Sequence, residues 1–373
     1  MAESLSLTSK PHYPILDGLR GVAALMVVAF HVFEANATNH FDQIINHGYL
    51  AVDFFFLLSG FVIGYAYDDR WTKMSVGTFL RRRIERLQPM VVMGMIIGAL
   101  TFYFQDSVLF PGISEVPVWK MLIVMLVGFT LLPLPISMDI RGWTEMHPLN
   151  GPGWSLFYEY IANILYGLFV RKFSKGMLSI WVILSAAALI HLAVIQGNVV
   201  GGWALESVQI RIAFCRVMYP FFGGLLLFRI GKRIQIKQAF FWCSLLVILL
   251  LALPRMGDRD HLWINGLYDS LSIILIFPLI VSMGAGGEIK GKFAIGVCKF
   301  FGDISYPIYI THYPLIYLYT SWVYDHKVPL QEAWPWGLLV FITSIVLAYA
   351  CLKLYDEPIR LWLKKKALTR NSS

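Results

Sequence analysis

The sequence predicts an all-α, polytopic membrane protein with about ten transmembrane helices, and three observations carry that prediction. Its 373 residues are 57% hydrophobic and only 14% charged, against roughly 25% charged in soluble domains. Apolar runs long enough to cross about 30 Å of hydrocarbon recur along almost the whole chain. The remaining charge gathers in short basic clusters between those runs, as in cytoplasmic loops of membrane proteins. The net charge of +8 therefore reads as a topology signal, with no nucleic-acid partner implied.

The runs fall near 14–34, 47–67, 88–105, 153–170, 177–196, 206–228, 239–254, 263–284, 296–320 and 335–356. The first is followed by further spans and by no small-residue cleavage site, so it is expected to be retained. RWTKMSVGTFLRRRIER (70–86), RKFSK (171–175), RIGKRIQIK (229–237), EIKGKF (288–293) and the KKK at 364–366 are the strong basic clusters. Placing all five inside puts both termini in the cytoplasm. Between Arg86 and Arg171 only an even number of crossings is then allowed, yet a third apolar run, 118–136, lies there and ends in LLPLP. It is expected to be a re-entrant or interfacial helix on the outer face, a state tolerated where protein covers the backbone. The expected organisation is a tail at 1–13, one transmembrane domain at 14–356 and a basic tail at 357–373. Cys215, Cys243, Cys298 and Cys351 are scattered, with neither metal spacing nor a disulfide pattern.

Ionisable residues inside such spans are costly and face a bundle interior or a wet cavity. In LDGLRGVAALMVVAFHVFE (16–34), Asp17 and Arg20 open the helix and His31 and Glu34 sit near its far end. Arg20 and His31 are three turns apart, about 16 Å, on roughly one face. Residue chemistry leaves two readings open: Arg20 snorkelling to headgroups with His31 as a helix–helix contact, or a functional pair. Glu34, three residues beyond His31, can share its face and orient the ring.

RRRIERLQP (81–89) sets Arg83 and Arg86 on one helical face at the start of a span. Arginine binds phosphates bidentately at any working pH, although clusters of this kind also serve plain topology. GPGWSLFYEY (151–160) places Glu159 within a span, either to take a proton or to hydrogen-bond a neighbouring helix, with Trp154 and Ser155 before it. DFFFLLSG (53–60) carries Asp53, and Ser59 with Gly60 permits close helix packing. FGDISYPIYITHYP (301–314) holds Ser305, Tyr306, Tyr309 and His312, with Pro307 expected to break or kink the helix. His312 alone reads as a core histidine. No P-loop, GxGxxG, HExxH or GxSxG pattern occurs.

Taken together, LDGLRG with Arg-x10-His, FFFLLSGFVI, Arg83-x-x-Arg86, WSLFYE and FGDISYPIYITH resemble the type-3 membrane acyltransferase family. These are bacterial integral-membrane enzymes that O-acetylate cell-surface polysaccharides. The pieces occur in the family's order over residues 16–312. The resemblance implies location in the bacterial cytoplasmic (inner) membrane, acetyl-CoA as acyl donor on the cytoplasmic side, no metal, and a glycan or lipid-linked saccharide acceptor on the outer side. It implies His31 as catalytic base or transient acyl carrier, and Glu159, which matches the family's Trp-Ser-Leu-x-x-Glu motif, as a further catalytic residue. Arg20, Arg83 and Arg86 are then donor-binding residues. Asp17, Asp53, Ser59, Trp154, Ser155, Ser305, Tyr306 and His312 are substrate-binding or supporting. Some members add a soluble second acyl-transfer domain after the spans; this sequence stops soon after its last span, which implies work alone or with a separate partner. The alternative is a transporter or exporter of a glycan lipid, against which stands the lack of repeat symmetry.

Overall fold

The computed structural model describes residues 13–370. The expected N-terminal tail lies, apart from Tyr13, outside the described residues. Among them the chain is all-helical, with no strand and one isolated bridge between Glu145 and Ala204. The helices are α1 (Pro14–Glu34), α2 (Ala51–Tyr67), α3 (Val76–Thr101), α4 (Val118–Gly128), α5 (Gly153–Leu168), α6 (Lys175–Gln196) and α7 (Ser207–Ile230). There follow α8 (Ala239–Ala252), α9 (Trp263–Leu271), α10 (Phe277–Gly286), α11 (Lys292–Thr311), α12 (Tyr313–His326), α13 (Leu330–Cys351) and α14 (Glu357–Arg370).

Eight helical segments are long and apolar enough to cross a membrane. They match eight of the expected spans; the other two, at 153–170 and 239–254, are helices of 16 and 14 residues. The 118–136 run forms a helix of only 11 residues, about 16 Å, too short to cross. The basic cluster at 81–86 is not a loop before α3 but its first turns, capped by the Ser75 hydroxyl, which accepts from the Thr78 N–H at 3.1 Å. The expected C-terminal tail begins as helix α14.

Pro307 does not break its helix, which runs unbroken to Thr311; the chain bends at His312. The reason lies one turn further on. Pro314 has no N–H to offer the Ile310 carbonyl, and that carbonyl instead accepts from Asn150 Nδ2 at 2.7 Å.

The bundle is held by close helix crossings, α1 on α11 and α2 on α7. At the first, Gly18 faces Cys298 and Gly21 faces the Phe301 backbone so closely that no Cβ fits, while Gly302 meets Asp17. The LDGLRG and FGDISYP motifs thus face each other across one interface. At the second, Gly60 lies against the Phe221 carbonyl and Gly224 against that of Leu57. Small residues allow such backbone approach, which is where membrane helices gain packing energy. All four cysteines are free.

Candidate active site

Two cavities enter the bundle from opposite ends. The first, about 690 Å³, opens at the end bearing the basic clusters and the start of α1. It takes Asp17 and Arg20 from α1, Arg83 and Arg86 from α3, Ser59 from α2, Ser155 and Glu159 from α5, and Ser305 and Tyr306 from α11. The second, about 670 Å³, opens among the loops at the far end of α1 and is lined by His31, Glu34, Tyr49, Glu145, Trp154 and Tyr313, with Trp143 and Trp203 at its walls.

In the basic-end chamber, Glu159 Oε1 accepts from Arg83 Nη2 at 2.7 Å and from the Ser59 hydroxyl at 2.6 Å. Arg83 is 5% exposed and Glu159 14%, so the pair is desolvated and held by two hydrogen bonds to one oxygen. Arg20 reaches Asp17 only loosely, at 3.5 Å. Lys299 and Arg360 at the chamber wall are paired with Asp303 and Asp356. Arg86 lines the chamber one turn from Arg83 and has no hydrogen bond or ion pair among the described residues. The two arginines of the Arg-x-x-Arg pair therefore differ in kind: one is fixed by a carboxylate, the other is unspent. Ser305 donates to the Gly302 carbonyl at 2.8 Å, and Tyr306 to that of Leu87 at 2.6 Å, tying α11 to α3.

In the loop-end chamber, His31 Nδ1 lies 2.7 Å from Glu34 Oε2. A carboxylate can only accept, so Nδ1 carries the proton and the Nε2 lone pair is left free. Tyr313 packs edge-on to the imidazole at 4.8 Å, and the His312 ring stacks behind it at 5.7 Å. His312 is fully buried, its Nδ1 donating to the Ile308 carbonyl at 2.9 Å while Nε2 has no partner. Trp154 is buried, with the Arg216 guanidinium 5.2 Å above its ring.

The structure therefore separates the two residues expected to share catalysis. Glu159 belongs to the chamber with the arginines, and His31 to the other; the carboxyl at the imidazole is Glu34. Asp53 lines neither chamber. It is fully buried and paired with Arg216 at 2.7 Å, and Arg216 also donates to the Tyr49 and Gly201 carbonyls. Arg216 escaped the sequence reading although an arginine ten residues into the 206–228 apolar run is a signal in itself. Glu145 escaped it too. It sits in the 129–152 loop, accepts from the Tyr317 hydroxyl at 2.6 Å, and is pushed up to about 7 by burial, against the pull of Arg141. Nearby, burial lowers His147 to about 4; its Nε2 donates to the Leu131 carbonyl. Among the described residues no group of three His, Cys, Asp or Glu is placed to hold a metal.

The sequence model of a family described as "Acyltransferase domain" matches residues 13–353. "Protein 2 in picA locus" of Rhizobium radiobacter is 31% identical over 169 residues, 43% of this chain and 84% of that protein. "Acyltransferase MdmB" of Streptomyces mycarofaciens is 35% identical over 170 residues, 43% of this chain and 40% of that protein. "O-acetyltransferase OatA" of Staphylococcus aureus is 23% identical over 368 residues, 94% of this chain and 58% of that protein. The chain thus spans about half the length of the last two relatives. No solved structure matches it. With the family's domain covering nearly the whole of a multi-pass helical bundle, this chain belongs to the acyltransferase family.

Proposed function

We propose that this protein is an integral-membrane O-acyltransferase. It moves an acetyl group from acetyl-CoA, bound in the basic-end chamber on the cytoplasmic side, to a hydroxyl of a glycan or lipid-linked saccharide at the loop end. The observation that carries this reading is the pair of chambers itself: unspent guanidinium chemistry in one, and a carboxylate-oriented imidazole in the other.

The basic-end chamber suits the donor. Its thioester supplies the activated acyl group, and its phosphates need cations that the protein has not already neutralised. Arg86 meets that requirement, and Arg20, with a partner at 3.5 Å, meets it in part. Arg83, locked to Glu159, forms part of the chamber wall one turn before Arg86.

The loop-end chamber suits the acceptor. With its proton on Nδ1 facing Glu34, His31 presents Nε2 as a general base to an incoming hydroxyl, and Glu34 stabilises the imidazolium that forms. The aromatic walls, Trp143, Trp154 and Trp203, offer apolar faces for a sugar ring. The O-acetyltransferase named among the relatives supports this acceptor chemistry. By the positive-inside rule the basic end faces the cytoplasm, with both termini on that side and the bacterial cytoplasmic membrane as host.

The test is the purified full chain in nanodiscs with radiolabelled acetyl-CoA and a membrane glycan extract. Label should pass to the extract with the wild-type protein and not with His31→Ala, which should still insert and melt normally. Label transfer by His31→Ala at the wild-type rate would overturn the catalytic assignment. Solute flux through the wild-type protein without acyl transfer would favour a transporter.

A further inference from the structure

The two chambers meet at one level of the bundle. Of all the residues lining them, only Val52 and Tyr309 line both. Four helices change chambers at this one level. On α1 the basic-end chamber ends at Arg20 and the other begins at Val27, about 10 Å further along. On α5 the change falls between Ser155 and Trp154, on α2 at Val52, and on α11 at Tyr309. A thioester delivered beside Arg86 meets this layer before it meets His31.

Tyr309 is held in place as a wall. The Ser155 hydroxyl spends its one proton on the Pro152 carbonyl at 2.9 Å, so in the 2.7 Å contact between Ser155 and Tyr309 the tyrosine donates. Phe55 packs edge-on to the same ring at 5.4 Å. Ser155 lies one turn from Glu159 on α5, and Phe55 one turn from Ser59 on α2. The wall is therefore braced by the same two helices, α2 and α5, that Ser59 and Glu159 join one turn away.

Resting on the acyltransferase reading, we propose that Tyr309, with Val52 opposite, is the acyl-length filter of this protein. Only a short acyl group can pass the ring to reach His31, while a longer chain is stopped in the basic-end chamber. Phe55, packed edge-on at 5.4 Å, keeps the ring in place, and the volume of the ring sets the limit.

The experiment measures free CoA released from acetyl-, butyryl- and hexanoyl-CoA by the full chain in nanodiscs, with the membrane glycan extract present to take the acyl group. Tyr309→Ala should raise the butyryl-to-acetyl ratio of kcat/KM by about tenfold or more, since each methylene admitted or refused by an apolar wall is worth roughly 10- to 200-fold. Tyr309→Phe, which keeps the ring, should leave the ratio within about twofold. Val52→Ala, from the opposite side, should move it in the same direction as Tyr309→Ala, and it carries the test if Tyr309→Ala does not fold. An unchanged ratio in Tyr309→Ala and Val52→Ala overturns the filter while the acyltransferase reading stands. A ratio shifted equally by Tyr309→Phe assigns selectivity to the hydroxyl and overturns it as well. A wild-type protein that releases CoA from no donor overturns both.

Discussion

His31 and Glu34 face each other across 2.7 Å on a single turn of α1. The contact needs no tertiary neighbour to form, because residues three apart on a helix share a face. It sets the tautomer of the imidazole and leaves one nitrogen free toward the cavity.

If that contact serves catalysis, the two residues should differ in degree. His31→Ala should lower kcat by about 10²- to 10⁴-fold, the usual worth of a positioned base. Glu34→Gln keeps the shape but releases the tautomer, and should lower kcat by roughly 10- to 100-fold with donor KM unchanged. Steady-state kinetics on both variants checks this. A Glu34→Gln variant with wild-type kcat would leave the carboxylate without a catalytic role.

Arg83 and Arg86 should separate stability from binding. Arg86→Ala removes a cation with no protein partner, so thermal stability should hold while CoA affinity falls about 10-fold or more, the worth of one charge-assisted bond. Arg83→Ala strands Glu159 in a desolvated site and should cost about 3–5 kcal/mol. Calorimetry of CoA binding beside thermal melts distinguishes them.

The buried Asp53–Arg216 pair makes a purely structural prediction. Arg216→Met leaves the Asp53 carboxylate and the Tyr49 and Gly201 carbonyls without their donor, and should destabilise by about 3–5 kcal/mol. Replacing both partners by apolar residues should recover part of that loss. Detergent-solubilised melts of single and double variants measure it.

The 129–152 loop carries two titrations of opposite sign. Glu145 has its carboxyl raised to about 7 from 4.5, so the native state holds a proton that the unfolded chain has released. Stability falls as pH rises through that window, by up to about 3 kcal/mol. His147 is lowered from 6.5 to about 4; here the unfolded chain holds the extra proton, and stability falls as pH drops from 6.5 to 4. Between about pH 4.5 and 6.5 the two slopes cancel, so stability should be nearly flat there. Glu145→Gln removes one slope and should expose a rise of up to about 3 kcal/mol from pH 4 to 6.5; melting temperature against pH in both proteins reads the difference.

Much of the bundle was legible because bilayer thickness dictates span length, and composition alone reveals runs of that length. The two expected spans realised as shorter helices, at 153–168 and 239–252, show the limit of that reasoning. Hydropathy locates apolar chain without fixing where its helix stops. The helix runs unbroken through Pro307, and the chain bends at His312 before Pro314 instead. A proline's effect depends on whether another group takes up the carbonyl it abandons, and here Asn150, remote in sequence, relieves the carbonyl that Pro314 leaves.

By itself the sequence determined what lies within one helix: the Arg20–His31 rise, the shared face of Arg83 and Arg86, and the His31–Glu34 turn. These follow from helical geometry, which every residue of a span obeys wherever it packs. Only the tertiary structure decided that Glu159 serves Arg83 and Ser59 and not His31, that Asp53 is tied to Arg216, and that Tyr309 stands between two chambers. Those relations join residues 76 to 163 positions apart. They depend on which glycine faces which carbonyl where two helices cross, and no periodicity along a single strand of sequence records that.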